Sequence, residues 1–388
     1  MPRVTERVQE PTRVLIVFNT LCFYGMERAT MDIFDILRPD VAPLYLITRS
    51  NERYDTAVLR ELKKRNFSLA FFHDTWDWPR LGKPHSLVEL MRMLWCLVIA
   101  NCDVFRLCLR SDVIYLPTVS SAYLSFAACL YYRLTNRKVI YHIHDLTAPK
   151  RRLRIMSLWV SDFVHCTRSS LDILQRANAF LHKKANHCIP YMVEFHAADS
   201  EFNPAGWRKD TRHIVYAGQV SRHKGIAVLI EAFRLLAKDY PDISLDLLGG
   251  ASCGDFEKTV QRSPALSERV RFWGFRDDVF QFLHRAYVYV QPSLFPFKEA
   301  GCRAVLEAMA AGVPSVCFPS GVLPEYVVNG KTGLVCAQET SACLADAIHR
   351  FLGDAEFRDG CGAAARERYE DRYSGVQVRK HWLDLLRN

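Results

Sequence analysis

The sequence predicts an α/β protein made of two tandem, doubly wound parallel sheets. Short apolar runs of strand length alternate with helix-length segments along most of the 388 residues. The alternation occurs in two series, and it is typical of parallel sheets that are covered by helices on both faces. With 49% hydrophobic and 24% charged residues, the chain has the composition of a globular protein with two or three domains.

The first series begins with the apolar run Arg13–Phe18, which a helical stretch at Glu27–Leu37 follows. Its further predicted strands are 43–48, 68–73, 112–116, 138–143 and 162–166. The second series has predicted strands at 213–217, 243–248, 270–273, 287–290, 315–318 and 333–336, with helices at about 225–238, 279–285, 301–311 and 340–352. Open α/β sheets bind ligands at their strand ends, so we expect a ligand cleft between the two sheets.

The boundary between the two series is predicted within Ile189–Arg212, where periodicity is lost and Pro, Asp and Gly collect. This gives a first domain over 1–193, a second domain over 194–370 and an amphipathic C-terminal helix over 371–388. The charged N-terminus lacks a signal-peptide core, and no apolar run approaches the roughly 20 residues of a spanning helix. We therefore expect a cytoplasmic protein, with peripheral attachment to the cytoplasmic face of the membrane left open.

Net charge and cysteine content limit the classes of binding partner that the sequence predicts. Residues 1–200 hold 27 Lys and Arg against 19 Asp and Glu, whereas the two signs nearly balance in the second half. The first half therefore favours an anionic surface, such as phospholipid or a lipid pyrophosphate, and no nucleic-acid motif accompanies the charge. The 13 cysteines form no C-x-x-C pair and no His/Cys spacing suited to zinc, so we interpret them as buried apolar residues.

The stretch Gln291–Cys336 carries the strongest chemical signal. Its predicted helix, from about Gly301 to Ala311, leaves unpartnered N–H groups at its first turn, where a phosphate is favoured. Glu299 precedes this turn and Glu307 lies within the helix. If helical rise holds throughout, the two acids are about 12 Å apart. That separation matches a diphosphate flanked by two sugar rings, with one carboxylate for the transferred sugar and one for the ribose hydroxyls.

The E-x7-E pattern is followed by EAMAAGVPSV and GVLPEYVVNGKTG, and the strand at His213 runs into a glycine-containing basic loop that ends at Gly225. Together these motifs resemble the donor-binding half of family 4 glycosyltransferases. The resemblance implies a GT-B fold of two Rossmann-like domains whose C-terminal helix packs back on the first. It also implies a retaining, hexosyltransferase-type enzyme that moves a sugar from a nucleotide diphosphate to a hydroxyl of a glycan or lipid-linked acceptor, in cell-surface polysaccharide or glycolipid biosynthesis.

The resemblance also implies roles for individual residues. Glu299 holds the donor sugar, Glu307 the ribose, Lys224 with either Arg222 or Gln219 the diphosphate, and His144 the reacting region. The implied catalytic residues are His144, Glu299 and Lys224, and the implied donor-binding residues are Gly25, Gly218, Gln219, Arg222, Lys224, Gly249, Phe275, Arg276, Glu299, Ala300, Gly301, Cys302 and Glu307. His142, two residues before His144, faces the same way and is an alternative to it.

The chain departs from the family pattern at three positions. Tyr24 replaces one glycine of the family's G-G-x-E loop after the first strand, of which Gly25 keeps the other. Gln219 stands where the family has Arg, and Cys302 stands where it usually has Gly. The chain also lacks a D-x-D motif, which would hold Mg²⁺ or Mn²⁺ on a diphosphate. We therefore expect no metal and no cofactor beyond the nucleotide sugar.

Three further questions stay open on the sequence. A chain of this pattern is alternatively a non-catalytic protein that binds nucleotide or glycan, or a nucleotide-sugar epimerase. A helical projection of the segment 92–110 divides it into a polar side with Arg92, Asp103, Arg106 and Arg110 and an apolar side with Leu94, Leu97, Val98 and Phe105. This segment, and the basic run 150–154 with the apolar residues after it, favour binding to anionic lipid and ordinary core packing equally. The sequence does not separate UDP-linked from GDP-linked donors.

Overall fold

The chain forms two compact α/β units in the computed structural model. The structure describes residues 10–21, 23, 25–73, 86–146, 150–193, 201–202, 204, 207, 211–250, 255–296 and 298–387, so Tyr24 and much of the predicted boundary segment lie outside it. One unit comprises Met1–Pro190 with Val378–Asn388, and the other Tyr191–Gln377. The division at 190 lies three residues before the predicted domain boundary at 193.

The first unit contains a seven-stranded parallel sheet. Its strands are β1 (Thr12–Phe18), β2 (Val41–Ile47), β3 (Ser68–Phe71), β4 (Val113–Leu116), β5 (Lys138–Ile143), β6 (Asp162–His165) and β7 (Ala185–Cys188), in the order β3-β2-β1-β4-β5-β6-β7. The helices are α1 (Gly25–Leu37), α2 (Ser50–Arg53), α3 (Ala57–Lys64), α4 (Leu87–Cys108), α5 (Val119–Leu124), α6 (Phe126–Leu134), α7 (Lys150–Met156) and α8 (Arg168–Ala177). The central strands are buried on both faces because helices cover each side of a parallel sheet.

The second unit repeats this plan with six parallel strands. They are β8 (Arg212–Ala217), β9 (Ile243–Leu248), β10 (Val270–Gly274), β11 (Ala286–Gln291), β12 (Ser315–Cys317) and β13 (Gly333–Val335), in the order β10-β9-β8-β11-β12-β13. The helices are α9 (Ile226–Leu236), α10 (Asp255–Gln261), α11 (Pro264–Ser267), α12 (Val279–Leu283), α13 (Arg303–Ala310), α14 (Leu323–Tyr326), α15 (Ser341–Gly353) and α16 (Ala355–Arg372). The prediction of two doubly wound parallel sheets is confirmed.

Two predicted details differ from the structure. The helix expected from about Gly301 begins at Arg303, because Cys302 is extended (φ −112°, ψ 92°) and serves as the N-cap. Residues 299–302 therefore do not have the helical rise on which the 12 Å separation was based. In the first unit, Asp103 was expected on a polar face with Arg106, but it is buried and accepts the backbone N–H of His73 at 2.7 Å.

The C-terminal helix α17 (Gly375–Arg387) returns to the first unit. Arg379 forms an ion pair with Asp40, and Lys138 donates to the backbone carbonyl of Leu385. Trp382 is fully buried, with its ring centroid 5.9 Å from that of Tyr115 and 5.5 Å from that of His142. This helix thus completes one covered face of the first sheet.

The buried indole gives the first prediction. Trp382→Ala removes a large side chain from a closed core, which costs about 3–5 kcal/mol of unfolding free energy. Val376→Ala on the same helix is the matched control, because that side chain is 79% exposed; its effect should stay within about 0.5 kcal/mol. Urea unfolding followed by circular dichroism measures both. Equal stabilities of the two variants would contradict the burial of Trp382.

Candidate active site

The loops at the carboxyl ends of the second sheet are joined by backbone hydrogen bonds. Gly218 N–H donates to Leu248 at 2.8 Å, Gly249 N–H donates to Gly274 at 2.7 Å, and Leu294 N–H donates to His223 at 3.0 Å. These bonds connect the segments that follow β8, β9, β10 and β11. The parallel order of the strands brings the predicted donor-binding loops to one edge of the sheet.

Gly225 allows the basic loop to pack closely on the segment after β11. Its φ is +74°, and a Cβ at this position would overlap the backbone carbonyl of Pro292. Only glycine meets both the left-handed conformation and the close approach. Lys224, the residue before it, is thereby placed beside the segment that contains Glu299.

Glu299 and Lys224, predicted as separate site residues, form one buried ion pair. Lys224 Nζ lies 2.7 Å from Glu299 Oε1, and both side chains are largely buried. The same oxygen accepts Ser293 Oγ at 2.5 Å and Gln291 Nε2 at 3.3 Å. Sequence reasoning did not include Ser293 and Gln291 in the site, although their i, i+2 spacing at a strand end places them on one face.

The backbone of Glu299 is fixed by the turn that precedes α14. Val322 N–H donates to Glu299 carbonyl oxygen at 3.0 Å. Gly321 has φ +60°, and a Cβ on it would overlap the backbone of Glu299. This contact explains why a glycine stands in the GVLPE stretch.

The first turn of α13 follows Glu299. Ala300 and Cys302 are buried and Gly301 is half-buried, and the N-cap residue Cys302 provides no side-chain capping hydrogen bond. Burial raises the pKa of the Cys302 thiol to about 12, so it is neutral at physiological pH. The thiol therefore occupies the usual glycine position without placing a negative charge at the helix N-terminus, where the helix dipole favours an anionic ligand.

Glu307 is paired with an arginine that sequence reasoning left out of the site. Arg303 Nε lies 2.9 Å from Glu307 Oε1, and Arg303 also donates to the backbone carbonyl of Met192 at 3.2 Å. The i, i+4 spacing of the two residues is the signal that would have identified this pair. Glu307 is buried and Arg303 is half-buried, so the carboxylate is held in a fixed direction.

The other predicted donor-binding residues are more exposed. Gln219 and Gly218 lie at the surface and Gly249 is half-buried. Arg222 has 80% of its side chain exposed and is 3.7 Å from Asp255, so it is a loosely held cation. Phe275 is 55% exposed.

Arg276 is engaged within its own loop. Its Nε and Nη2 donate to the two carboxylate oxygens of Asp278 at 2.8 and 2.5 Å. A nucleotide base that accepts a hydrogen bond from Arg276 would therefore share this guanidinium group with the Asp278 carboxylate.

The predicted residues of the first unit lie at the carboxyl ends of its strands. Gly25 is exposed and opens α1, and Glu27 is buried, where Thr20 Oγ1 donates to it at 2.9 Å. His144 follows β5, with its ring centroid 4.1 Å from that of His142. His144 is half-buried as a residue, but its Nε2 atom is inaccessible to solvent. Burial lowers the pKa of His144 to about 3, so the imidazole is neutral.

Part of the chain that includes this site is similar in sequence to a family of enzymes. Residues 198–368 match the family model described as glycosyl transferases group 1. A glycogen synthase of Mycobacterium tuberculosis is 28% identical over 277 residues, which are 67% of this chain and 64% of that protein. A D-inositol 3-phosphate glycosyltransferase of Paenarthrobacter aurescens is 30% identical over 175 residues, or 41% of this chain and 40% of that protein. The chain thus spans less than two thirds of these relatives.

Solved structures extend the likeness over almost the whole chain. The Anabaena protein HepE in complex with UDP and glucose has a TM-score of 0.75 at 19% identity, covering 97% of this chain and 99% of that one. A glycosyltransferase from Rickettsia africae has a TM-score of 0.77 at 16% identity, covering 97% and 98%. The protein therefore has the GT-B fold, and its residues 198–368 are similar to the group 1 glycosyl transferases.

Proposed function

We propose that the protein is a retaining glycosyltransferase that moves a sugar from a nucleotide-diphosphate sugar to a hydroxyl of a glycan or lipid-linked acceptor, without a metal ion. The observation that carries the proposal is the buried Lys224–Glu299 ion pair beside the first turn of α13. A cation, an uncapped helix N-terminus and a fixed carboxylate at one sheet edge are suited to a diphosphate joined to a sugar. The group 1 family match of the same residues supports this assignment.

The leaving group determines the chemistry that these residues perform. As the bond between sugar and phosphate breaks, negative charge grows on the diphosphate, and fixed donors that face this charge lower the barrier. Lys224 supplies a full positive charge and the α13 N-terminus supplies backbone N–H groups. Glu299 orients Lys224 and is placed to accept hydrogen bonds from sugar hydroxyls, while Glu307 is assigned to the ribose. Retention of the anomeric configuration is proposed from the family likeness.

UDP-sugars are the donors to test first. HepE was solved with UDP, with UDP and glucose, and with UDP-glucose, and TarM of S. aureus with UDP.

A lipopolysaccharide N-acetylglucosaminetransferase and a phosphatidyl-myo-inositol mannosyltransferase are among the relatives, which supports a glycan or lipid-linked acceptor in cell-surface polysaccharide or glycolipid synthesis. We place the protein at the cytoplasmic face of a membrane.

Helix α4 supports the proposed membrane contact. Among the described residues, no helix is long and apolar enough to cross a bilayer. Each of the following side chains of α4 is nevertheless more than half exposed: Leu87, Val88, Met91, Leu94, Trp95 and Val98. Arg92 on the same helix is exposed. Leu97 and Phe105 were predicted for this apolar surface, but they pack partly buried against the core.

Helix α7 adds positive charge to the same unit. Its Lys150, Arg151, Arg152 and Arg154 are all exposed, and α5 contacts both α4 and α7. Exposed apolar side chains accompanied by cations fit the interface of an anionic bilayer, where apolar burial and charge attraction both favour binding.

The transfer reaction itself gives the second prediction. In excess EDTA, with a panel of UDP- and GDP-sugars and an acceptor extract, the wild type should release nucleoside diphosphate and form an acceptor-linked sugar. Glu299→Gln should lower kcat/KM by about 10²-fold, because the variant loses the charge that holds Lys224 in place. Glu231→Gln is the matched control, since this acid pairs with Arg234 at the surface; its activity should stay within about twofold.

Three outcomes of this assay contradict the proposal. Activity lost in EDTA and restored by Mg²⁺ would overturn metal independence. Conversion of the sugar nucleotide without acceptor would indicate an epimerase. Unchanged function in Glu299→Gln would indicate a non-catalytic binding protein.

The turn at Gly321 gives the third prediction. Gly321→Ala and Gly330→Ala both place a side chain on a left-handed glycine, with φ of +60° and +74°. A Cβ at 330 meets no atom within 4 Å, whereas one at 321 overlaps the Glu299 backbone. The conformational cost, about 1 kcal/mol, is therefore common to both. Only Gly321→Ala should weaken UDP binding by about tenfold or more in calorimetry, because only it displaces Glu299. Equal affinities of the two folded variants would contradict this role of Gly321.

The membrane contact gives the fourth prediction. Wild-type protein should float with vesicles that contain phosphatidylglycerol and should not float with pure phosphatidylcholine. Leu94→Glu combined with Trp95→Glu should reduce binding at least about tenfold, because each apolar side chain contributes roughly 1.5–3 kcal/mol when it leaves water. Val376→Glu, at an exposed apolar residue outside α4, is the control and should bind like the wild type. Equal flotation of all three proteins would refute a contact through α4.

A further inference from the structure

Two histidines and a cysteine converge at the carboxyl ends of β5 and β6. They are His142, the next-to-last residue of β5, His144 just after β5, and Cys166 just after β6. One ligand atom from each residue lies within 4.8 Å of the other two. His142 and Cys166 are fully buried, so the cluster belongs to the interior of the first unit.

The strand register explains why residues so distant in sequence meet. His142 pairs with Val164 across β5 and β6. Since side chains alternate between faces, Cys166, two residues beyond Val164, emerges on the face of His142. His144 lies two residues beyond His142 and reaches the same side. The two histidines therefore meet through their local spacing, and Cys166 joins them through the pairing of β5 with β6.

The distance between the ligand atoms of Cys166 and His142 fits a metal ion with short coordination bonds. Cys166 Sγ lies 3.6 Å from His142 Nε2. Zinc bonds of about 2.0 Å to nitrogen and about 2.3 Å to sulfur place these two atoms about 3.5 Å apart at a tetrahedral angle. His144 is the member that has to adjust most, and it is on the loop rather than in the strand.

A tyrosine orients the central ligand. Tyr115 Oη lies 2.6 Å from His142 Nδ1, which leaves the opposite ring nitrogen directed at Cys166. A hydrogen bond to the non-coordinating nitrogen is the usual support of a metal-binding histidine, because it fixes the ring and its tautomer. Trp382 packs near the His142 ring and shields the cluster from water.

We propose that His142, His144 and Cys166 bind a borderline or soft transition-metal ion, with Zn²⁺ as the favoured occupant. One thiolate and two imidazoles are ligands for zinc, copper or cobalt, whereas Mg²⁺ and Ca²⁺ take oxygen. Cys166 Sγ donates to the Ile143 carbonyl at 3.5 Å. Binding replaces that bond with a sulfur–metal bond and releases one proton to solvent for each ion bound.

Cobalt binding tests the site independently of any transfer activity. Titration of the reduced wild type with Co²⁺ should give a thiolate-to-cobalt charge-transfer band that saturates at one ion per chain and is abolished by Zn²⁺. Cys166→Ser and Cys166→Ala should lose the band while keeping the circular dichroism of the wild type. Cys188→Ser is the matched control, since its thiol on the neighbouring strand also donates to a backbone carbonyl, at 3.8 Å; it should keep the band.

Tyr115→Phe separates orientation from coordination. It leaves all three ligands in place, so the band should remain while Co²⁺ affinity falls by about 10- to 100-fold. No band in the wild type, or an unchanged band in both Cys166 variants, would overturn the proposal. So would an affinity in Tyr115→Phe equal to that of the wild type.

The consequence for catalysis rests on the proposed function. A bound ion occupies His144, the residue assigned to the reacting region, so micromolar Zn²⁺ should inhibit transfer by the wild type. Each variant is compared with its own rate in EDTA, and Cys166→Ser should show at least about tenfold weaker inhibition. Should no sugar transfer occur in any protein, the cobalt spectra still decide the metal site, and the two proposals fail separately. Equal inhibition of wild type and Cys166→Ser would refute the link to His144.

Discussion

The buried ion pair between Lys224 and Glu299 is the interaction on which the donor side of the second unit depends. Burying two opposite charges is expensive, and apolar residues of similar size often stabilise a fold as well or better. This chain keeps the pair and surrounds the acid with Ser293 and Gln291. Stability alone is therefore a weak reason for the pair. In the proposed transferase, the pair would keep Lys224 in position before the substrate arrives, so that a fixed cation faces the departing diphosphate.

Two close backbone contacts make this pair possible. Gly225 lets the loop of Lys224 touch Pro292, and Gly321 lets a distant turn touch Glu299. Each contact joins segments far apart in sequence, and each excludes a Cβ. The charged side chains are thus positioned by backbone packing, which explains why residues without functional groups belong to the site as much as the acids and lysine do.

The sequence predicted the sheets well because their signal is local. Continuous apolar runs such as Arg13–Phe18 mark buried parallel strands, whereas β7, with Asn186 and His187, lacks such a run and was not predicted. Helix α13 begins two residues later than predicted because Cys302 is extended and serves as the N-cap, and neither Gly301 nor Cys302 is a strong helix former. The E-x7-E spacing located Glu299 and Glu307. It did not show that Lys224 and Arg303 pair with them, since Lys224 comes from a loop 75 residues away.

The same limitation applies to the first unit. His142 and His144 are neighbours at i, i+2 in the sequence, but Cys166 comes from the next strand and meets them only through strand register. The two sheet edges also differ in chemistry. The second presents an ammonium group, carboxylates and backbone N–H groups, which suit a sugar diphosphate. The first presents neutral imidazoles and a thiol, and an imidazole whose pKa burial lowers to about 3 offers no charge to a phosphate. The lone pairs of the imidazoles and the thiol are suited to a soft cation, and the N–H groups of the imidazoles are suited to the neutral hydroxyls of a sugar. An anion therefore gains binding energy at the second edge and little at the first. This contrast favours the second unit as the place where the proposed donor diphosphate binds, and it favours uncharged groups or a soft cation as ligands of the histidines.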